Sequence, residues 1–164
     1  NLEIVIIRPP LVYGPNVRAN FFKLLEFVYR GIPLPLMSIN NKRSIMYVEN
    51  LVEFIIVCLD KKSAINKTFL VSDSLPISTP DLIKLIYKCF VKESRLFHFP
   101  VFIIFLIGLL TRTNKKFEKL IDSMEIDPKE TFEIMNWVPP YSTYEGIKST
   151  VMWFKNKKII EKSL

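Results

Sequence analysis

The chain has 164 residues, of which 49% are hydrophobic, 13% aromatic and 24% charged, which excludes a disordered polymer and suits one ordinary domain or a large piece of one. Lys plus Arg number 23 against 16 Asp plus Glu, and the net charge of +7 favours anionic partners such as nucleotides, phosphates or acidic lipid, with a merely solvated basic surface as the plain alternative. No basic stripe interleaved with aromatic residues and no nucleic-acid-binding motif is found, so nucleic acid is not an expected partner.

The first element, residues 3–8 (EIVIIR), is an unbroken apolar run that predicts a strand buried on both faces, as in a parallel sheet. It runs into RPPLVYGP (residues 8–15), whose prolines and glycine stop the strand at a turn. Residues 20–31 (NFFKLLEFVYRG) have apolar positions at helical spacing, with Asn20 able to cap the start and Gly31 to close the end. Residues 33–38 (PLPLMS) read as a short extended edge piece, because proline cannot serve a central strand.

A second strand is predicted at residues 43–48 (RSIMYV), followed by an amphipathic helix at residues 51–61, and a third strand at residues 68–73 (TFLVSD). Ser78, Thr79, Pro80 and Asp81 form a helix start, with a hydroxyl cap, a proline in the first turn and an acid at the positive end of the helix dipole. RLFHFP (residues 95–100) returns as a short strand. Residues 99–110 (FPVFIIFLIGLL) are too short for a spanning helix, which needs about 20 apolar residues; a buried core helix is expected, and an interfacial membrane helix is the alternative. DPKE at 127–130 and STYE at 142–145 are capping boxes, the second opening the last helix. Strands alternate with helices, so the fold class is α/β.

Two cysteines, Cys58 and Cys89, lie far apart in apolar segments and form no C-x-x-C pair; buried free thiols in a reducing, cytoplasmic setting are expected. The apolar start is short and lacks a basic flank, so no signal peptide is expected. His98, between two phenylalanines, is expected to be a core histidine, and no metal site is predicted.

The order of the pieces IIRPPLVYGP, NFF with its helix, KRSIMYVENLVEFI, STPDLI and DPKETFEIMNWVPPYSTYEGI resembles the extended short-chain dehydrogenase family, the NAD-dependent nucleotide-sugar epimerases, dehydratases and reductases. The resemblance covers nearly the whole chain. It looks closest to enzymes acting on C4 of UDP-N-acetylhexosamines, the 4-epimerases and 4-keto reductases of surface-polysaccharide pathways. It implies a partial Rossmann-like NAD-dependent epimerase fold, with residues 1–15 as the end of the Rossmann sheet and its nicotinamide-facing turn, and residues 16–164 as the smaller α/β region that binds the nucleotide sugar.

The resemblance also implies that the N-terminal NAD-binding half is absent from this sequence. The four glycines, Gly14, Gly31, Gly108 and Gly146, are too scattered for the Gly-rich turn that a pyrophosphate needs. NAD is therefore the family's cofactor, with none expected to bind this chain alone and no catalytic residue assigned. Tyr144 and Lys148 spell Tyr-x-x-x-Lys, the family's acid/base pair, but stand just inside the last helix, where the resemblance implies a structural role.

Residue by residue, the resemblance implies that Arg43 binds the nucleotide diphosphate, a task for which the guanidinium fork is suited. Asn20 meets phosphate at a helix N-terminus, and Leu34, Pro35 and Leu36 pack against the base and pair with it through backbone groups. Pro10 and Tyr13 line the nicotinamide side. Each has a plainer reading: a surface arginine, a helix cap, an edge strand, turn packing. Lys116 and Lys119 lie where the family offers another phosphate-binding arginine and read here as solvated charges, as does Lys42. Leu11 departs from the family, where many relatives carry an asparagine that touches substrate. The implied partners are a UDP-sugar and either a separate Rossmann half or a second copy of the chain; an interaction protein without catalysis is the competing class.

Overall fold

The computed structural model describes residues 2–73, 75–100, 102–103 and 122–163. The order of elements among them is β1 (Val5–Arg8), β2 (Leu11–Tyr13), α1 (Ala19–Arg30), β3 (Ile45–Tyr47), α2 (Val48–Asp60), β4 (Lys67–Leu70), α3 (Thr79–Phe90), α4 (Lys129–Met135) and α5 (Thr143–Ser163). The chain divides into two compact units, one made of Asn1–Val17, Ser44–Pro76 and Glu125–Leu164, the other of Arg18–Arg43 and Ile77–Met124. The fold is α/β.

In the first unit β1 pairs in parallel with β4, Ile7 opposite Phe69, and β2 pairs in parallel with β3, Tyr13 opposite Tyr47. Parallel neighbours need a crossover. α2, which leaves β3 with no intervening residue, leads through a 3-10 turn at Lys62–Ala64 into β4. Its inner face sets Phe54 and Cys58 into a core with Met46, Phe69, Val71, Met135 and Trp137. Phe54 meets the rings of Phe69 and Trp137 edge-on, with centroids 5.6 and 4.9 Å apart, a geometry aromatic pairs prefer.

Two expectations for the start of the chain change. The run at residues 3–8 is covered on one face, not two: Val5 and Ile7 lie half-buried against the core, whereas Ile4 and Ile6 are 50% and 44% exposed. The pleat sends alternate side chains to opposite faces, and only one of these faces is packed. The two prolines do end β1, because neither has an N–H for a ladder, but the chain resumes as β2 beside β3 instead of staying a turn.

In the second unit α1 packs on α3, with Phe21, Leu25 and Val28 buried from one helix and Ile83, Ile86 and Tyr87 from the other. Ser78 caps α3 as expected, its Oγ accepting from the Asp81 N–H at 3.2 Å. Asn20 does not cap α1. The helix begins one residue earlier, at Ala19, after Arg18, which makes no side-chain cap bond, and Asn20 sits exposed in the first turn. RLFHFP does not form a strand; it makes a single parallel bridge, Leu96 to Leu34.

The last two helices start differently. Ser142 and Glu145 form the reciprocal capping box, with the Ser142 N–H donating to Glu145 Oε2 at 2.8 Å and the Glu145 N–H to Ser142 Oγ at 3.3 Å. At α4, Pro128 stands just outside the helix and the Asp127 carboxylate accepts from the Lys129 N–H at 3.1 Å. Nearly all of residues 99–110, together with Lys116 and Lys119, lies outside the described residues. Among those described, no helix is long and apolar enough to cross a membrane.

Candidate functional site

Residues expected to meet a ligand fall in both units. Pro10 and Tyr13 belong to the first, Asn20, Leu34, Pro35, Leu36 and Arg43 to the second.

In the first unit the parallel strands end at a buried carboxylate, Asp73, 3% exposed. The Tyr13 hydroxyl donates to its Oδ2 at 2.9 Å. Its Oδ1 accepts from the Tyr47 N–H at 3.1 Å and from the Asn50 amide at 2.8 Å. Its own N–H donates to the Ile45 carbonyl at 2.8 Å. One side chain thus joins the ends of β2 and β3, the segment after β4 and the first turn of α2. Asn50 carries the link onward: its amide donates to the Tyr141 carbonyl at 2.9 Å, and the Tyr141 N–H returns to Asn50 Oδ1 at 3.0 Å.

Burial pushes the Asp73 carboxyl above the ordinary carboxylate range, while hydrogen bonds from Asn50, the Tyr47 N–H and Tyr13 pull the other way. Burial, then the neighbouring Asp73 charge, drives the Tyr13 phenol far above its usual value, so the hydroxyl stays a proton donor at any neutral pH. Tyr13 is 1% exposed and its hydroxyl is committed inside the unit; Pro10 is buried.

Two glycines make this packing possible. A Cβ on Gly14, at φ 153°, would stand 2.4 Å from Val48 Cγ1. One on Gly146 would stand 2.7 Å from the Tyr13 hydroxyl and 2.8 Å from Tyr47 Cγ, so α5 approaches β2 and β3 only with glycine there.

In the second unit Arg43 is held by its backbone on two sides. Its N–H donates to the Ile77 carbonyl at 3.0 Å and its carbonyl accepts from the Ile77 N–H at 2.9 Å, while Met124 bridges it on the other side. Neighbouring residues reinforce the position: the Thr79 N–H donates to Asn41 Oδ1 at 2.8 Å and the Asn41 amide donates to Thr79 Oγ1 at 3.0 Å. The guanidinium is half-buried. Burial lowers its pKa and the charge of Asp122 opposes this; an arginine remains a cation either way.

The extended segment is present too. Leu34 and Leu36 turn inward and are buried, and Pro35 is half-buried between them. The Leu34 backbone is already used, its N–H donating to the Arg95 carbonyl and its carbonyl accepting from the Phe97 N–H, at 3.0 and 3.2 Å.

Asp73 and Asn50 were not foreseen as site residues. Asp73 ends a predicted strand and Asn50 opens a predicted helix, and a polar residue at each of two element ends is the only local hint of their meeting. Among the described residues no cluster of His, Cys, Asp or Glu has the makings of a metal site.

The fold is that of part of the NAD-dependent sugar-nucleotide epimerases and dehydratases. A solved epimerase from Methanothermobacter thermautotrophicus superposes with a TM-score of 0.72 at 17% identity, over 99% of this chain and 46% of that one. UDP-glucuronic acid 4-epimerase from Bacillus cereus, solved with NAD, gives 0.67 at 17% identity, over 93% and 44%.

In sequence the chain is homologous to a UDP-glucose 4-epimerase of Vibrio cholerae, 38% identical over 155 residues that make up 94% of this chain and 47% of that protein. It thus spans about half the length of the epimerases it matches. No family model matches.

Proposed function

We propose that this chain is the nucleotide-sugar-binding part of an NAD-dependent epimerase or reductase acting at C4 of a UDP-N-acetylhexosamine in surface-polysaccharide biosynthesis, and that it has no turnover alone. The observation that carries this reading is the 38% identity to a UDP-glucose 4-epimerase along 94% of the chain. Arg43 takes the diphosphate: its backbone is anchored on both sides, so the guanidinium is presented from a fixed base. Asn20, exposed in the first turn of α1, offers its amide to phosphate where free N–H groups favour an anion. Pro35 and Leu36 supply the base-facing stretch, with Leu34 as its buried anchor.

Pro10 and Tyr13 shape the turn on the nicotinamide side. With its hydroxyl held by Asp73, Tyr13 serves by fixing the backbone of that turn. The residues at hand fit NAD poorly, since Gly14 and Gly146 are filled by Val48, Tyr13 and Tyr47 and offer no glycine cradle for a pyrophosphate among the described residues. A Rossmann half would hold the cofactor's phosphates and would bring the hydride chemistry with it.

That half, or a second copy of this chain, is the proposed protein partner; the exposed Ile4 and Ile6 of the β1 region favour a contact there. A non-catalytic chain that only docks is the second reading supported by the same two residues. Calorimetric titration with UDP and UDP-N-acetylglucosamine, with NAD as control, tests the first reading. Binding of both uridine nucleotides and not of NAD is expected. A well-folded chain that ignores UDP leaves the docking reading in its place.

A further inference from the structure

We propose that Asp73 and Tyr13 form a proton-operated latch between the end of β2 and the start of α5. The geometry offers the Tyr13 hydroxyl two acceptors, Asp73 Oδ2 at 2.9 Å and the Thr143 carbonyl at 3.4 Å, and the hydroxyl has one proton to give. With Asp73 ionised, that proton goes to Oδ2. When Asp73 takes a proton from solvent, Oδ2 becomes a donor and the bond reverses. Tyr13 then accepts from Asp73 and turns its own O–H to the Thr143 carbonyl. One proton is taken up, none is lost, and each group keeps a partner in both states. Oδ1 continues to accept from Asn50 and the Tyr47 N–H throughout.

Among the described residues the surroundings leave this exchange undisturbed by other charges. The titratable groups facing the pair are Tyr13 itself, on β2, and Tyr47, on β3, whose ring lies 5.7 Å from that of Tyr13. Of the charged residues on the two helices packed against the pair, those nearest in sequence to Asn50 and Gly146, namely Glu49 and Glu53 on α2 and Glu145 and Lys148 on α5, are exposed. Among the described residues no cation enters the balance at Asp73. Gly146 keeps α5 close enough for the Thr143 carbonyl to be the second acceptor. The consequence is that β2 is tied to the segment after β4 in both states and that acid adds a bond from β2 to α5, whatever the chain binds.

The test is an NMR titration of the whole chain labelled with carbon-13 at tyrosine Cζ and aspartate Cγ, with Tyr13→Phe and Asp73→Asn spectra assigning the two resonances. The Tyr13 and Asp73 signals are expected to move together with one midpoint above the ordinary carboxylate range, and Asp73→Asn to abolish the Tyr13 movement. A Tyr13 signal that stays still while Asp73 titrates overturns the latch. So does a Tyr13 shift that persists in Asp73→Asn. Should Asp73→Asn not fold, the Asp73 midpoint in Tyr13→Phe decides: a displaced midpoint supports the latch and an unmoved one refutes it.

Discussion

Gly146 faces the Tyr13 hydroxyl so closely that a methyl group added to it would stand 2.7 Å away. The obstructing atoms are not the free end of a flexible chain. The hydroxyl is tied to Asp73, and the Tyr47 ring lies on the other side, 2.8 Å from the same methyl position. Gly146→Ala is therefore expected to destabilise the chain by about 1–3 kcal/mol, the usual cost of overpacking, although alanine is the better helix former. Chemical denaturation of the two chains measures it; an unchanged midpoint would mean that α5 moves away freely.

Arg43→Ala should leave the fold intact, because the bonds to Ile77 are made by backbone atoms. UDP affinity, by contrast, should fall roughly ten- to a hundredfold, which is the loss of about 1.5–3 kcal/mol from a charge-assisted bond to phosphate. Calorimetry on the variant and circular dichroism on the same sample separate the two effects.

Tyr144 is 41% exposed at the start of α5, one turn from the exposed Lys148. Tyr144→Phe is expected to leave any UDP binding unchanged, and neither chain is expected to epimerise a UDP-sugar. Turnover by the native chain that disappears in Tyr144→Phe would make this pair the catalytic group.

Val91 closes α3 in the left-handed region, at φ 57°, and is 88% exposed. A β-branched residue pays for that conformation and glycine does not. Val91→Gly is expected to stabilise the chain by about 1 kcal/mol, read from a denaturant midpoint.

Asp73 gives stability a pH dependence whose sign can be stated. Its folded pKa is raised above the unfolded value, so the folded state binds more protons between the two. The stabilising contribution is complete below the unfolded carboxylate range and is lost as pH rises through the raised folded value. Asp73→Asn lacks this group, so native melting temperature should fall relative to the variant as pH rises from about 4 to about 8. A constant difference across that range would place Asp73 in the ordinary carboxylate range.

Exposure of Ile4 and Ile6 carries a prediction for behaviour in solution. The chain should self-associate, and Ile6→Lys should shift it towards monomer in sedimentation experiments. A native chain that is monodisperse and binds no hydrophobic dye would show that these side chains need no cover.

Local chemistry made the caps readable in advance. Ser78 with Asp81, and Ser142 with Glu145, interact across three residues, so the spacing alone announces them. The centre of the first unit is different. Asp73 takes its bonds from Tyr13, Tyr47 and Asn50, which lie 60, 26 and 23 residues away, and no periodicity relates such positions. β2 was hidden for another reason: Pro9 and Pro10 signal the end of one strand and mask the start of the next. At Asn20 a good capping residue was passed over because the helix starts one residue earlier.

The paired bonds between Asn50 and Tyr141 have a consequence for chemical ageing. Through them the side-chain amide behaves as a peptide group set sideways, giving and receiving one bond as a strand residue would. Only an asparagine of this length does both. Hydrolysis of the amide, which takes up a water and releases ammonia, would leave the outline of the side chain almost unaltered, yet turn a nitrogen that donates to both Asp73 and Tyr141 into an oxygen facing two oxygens. A single atom would then set a carboxylate against a buried carboxyl and a carbonyl, and the loop leading into α5 would keep only one of its two bonds to this side chain, without any change in the gene.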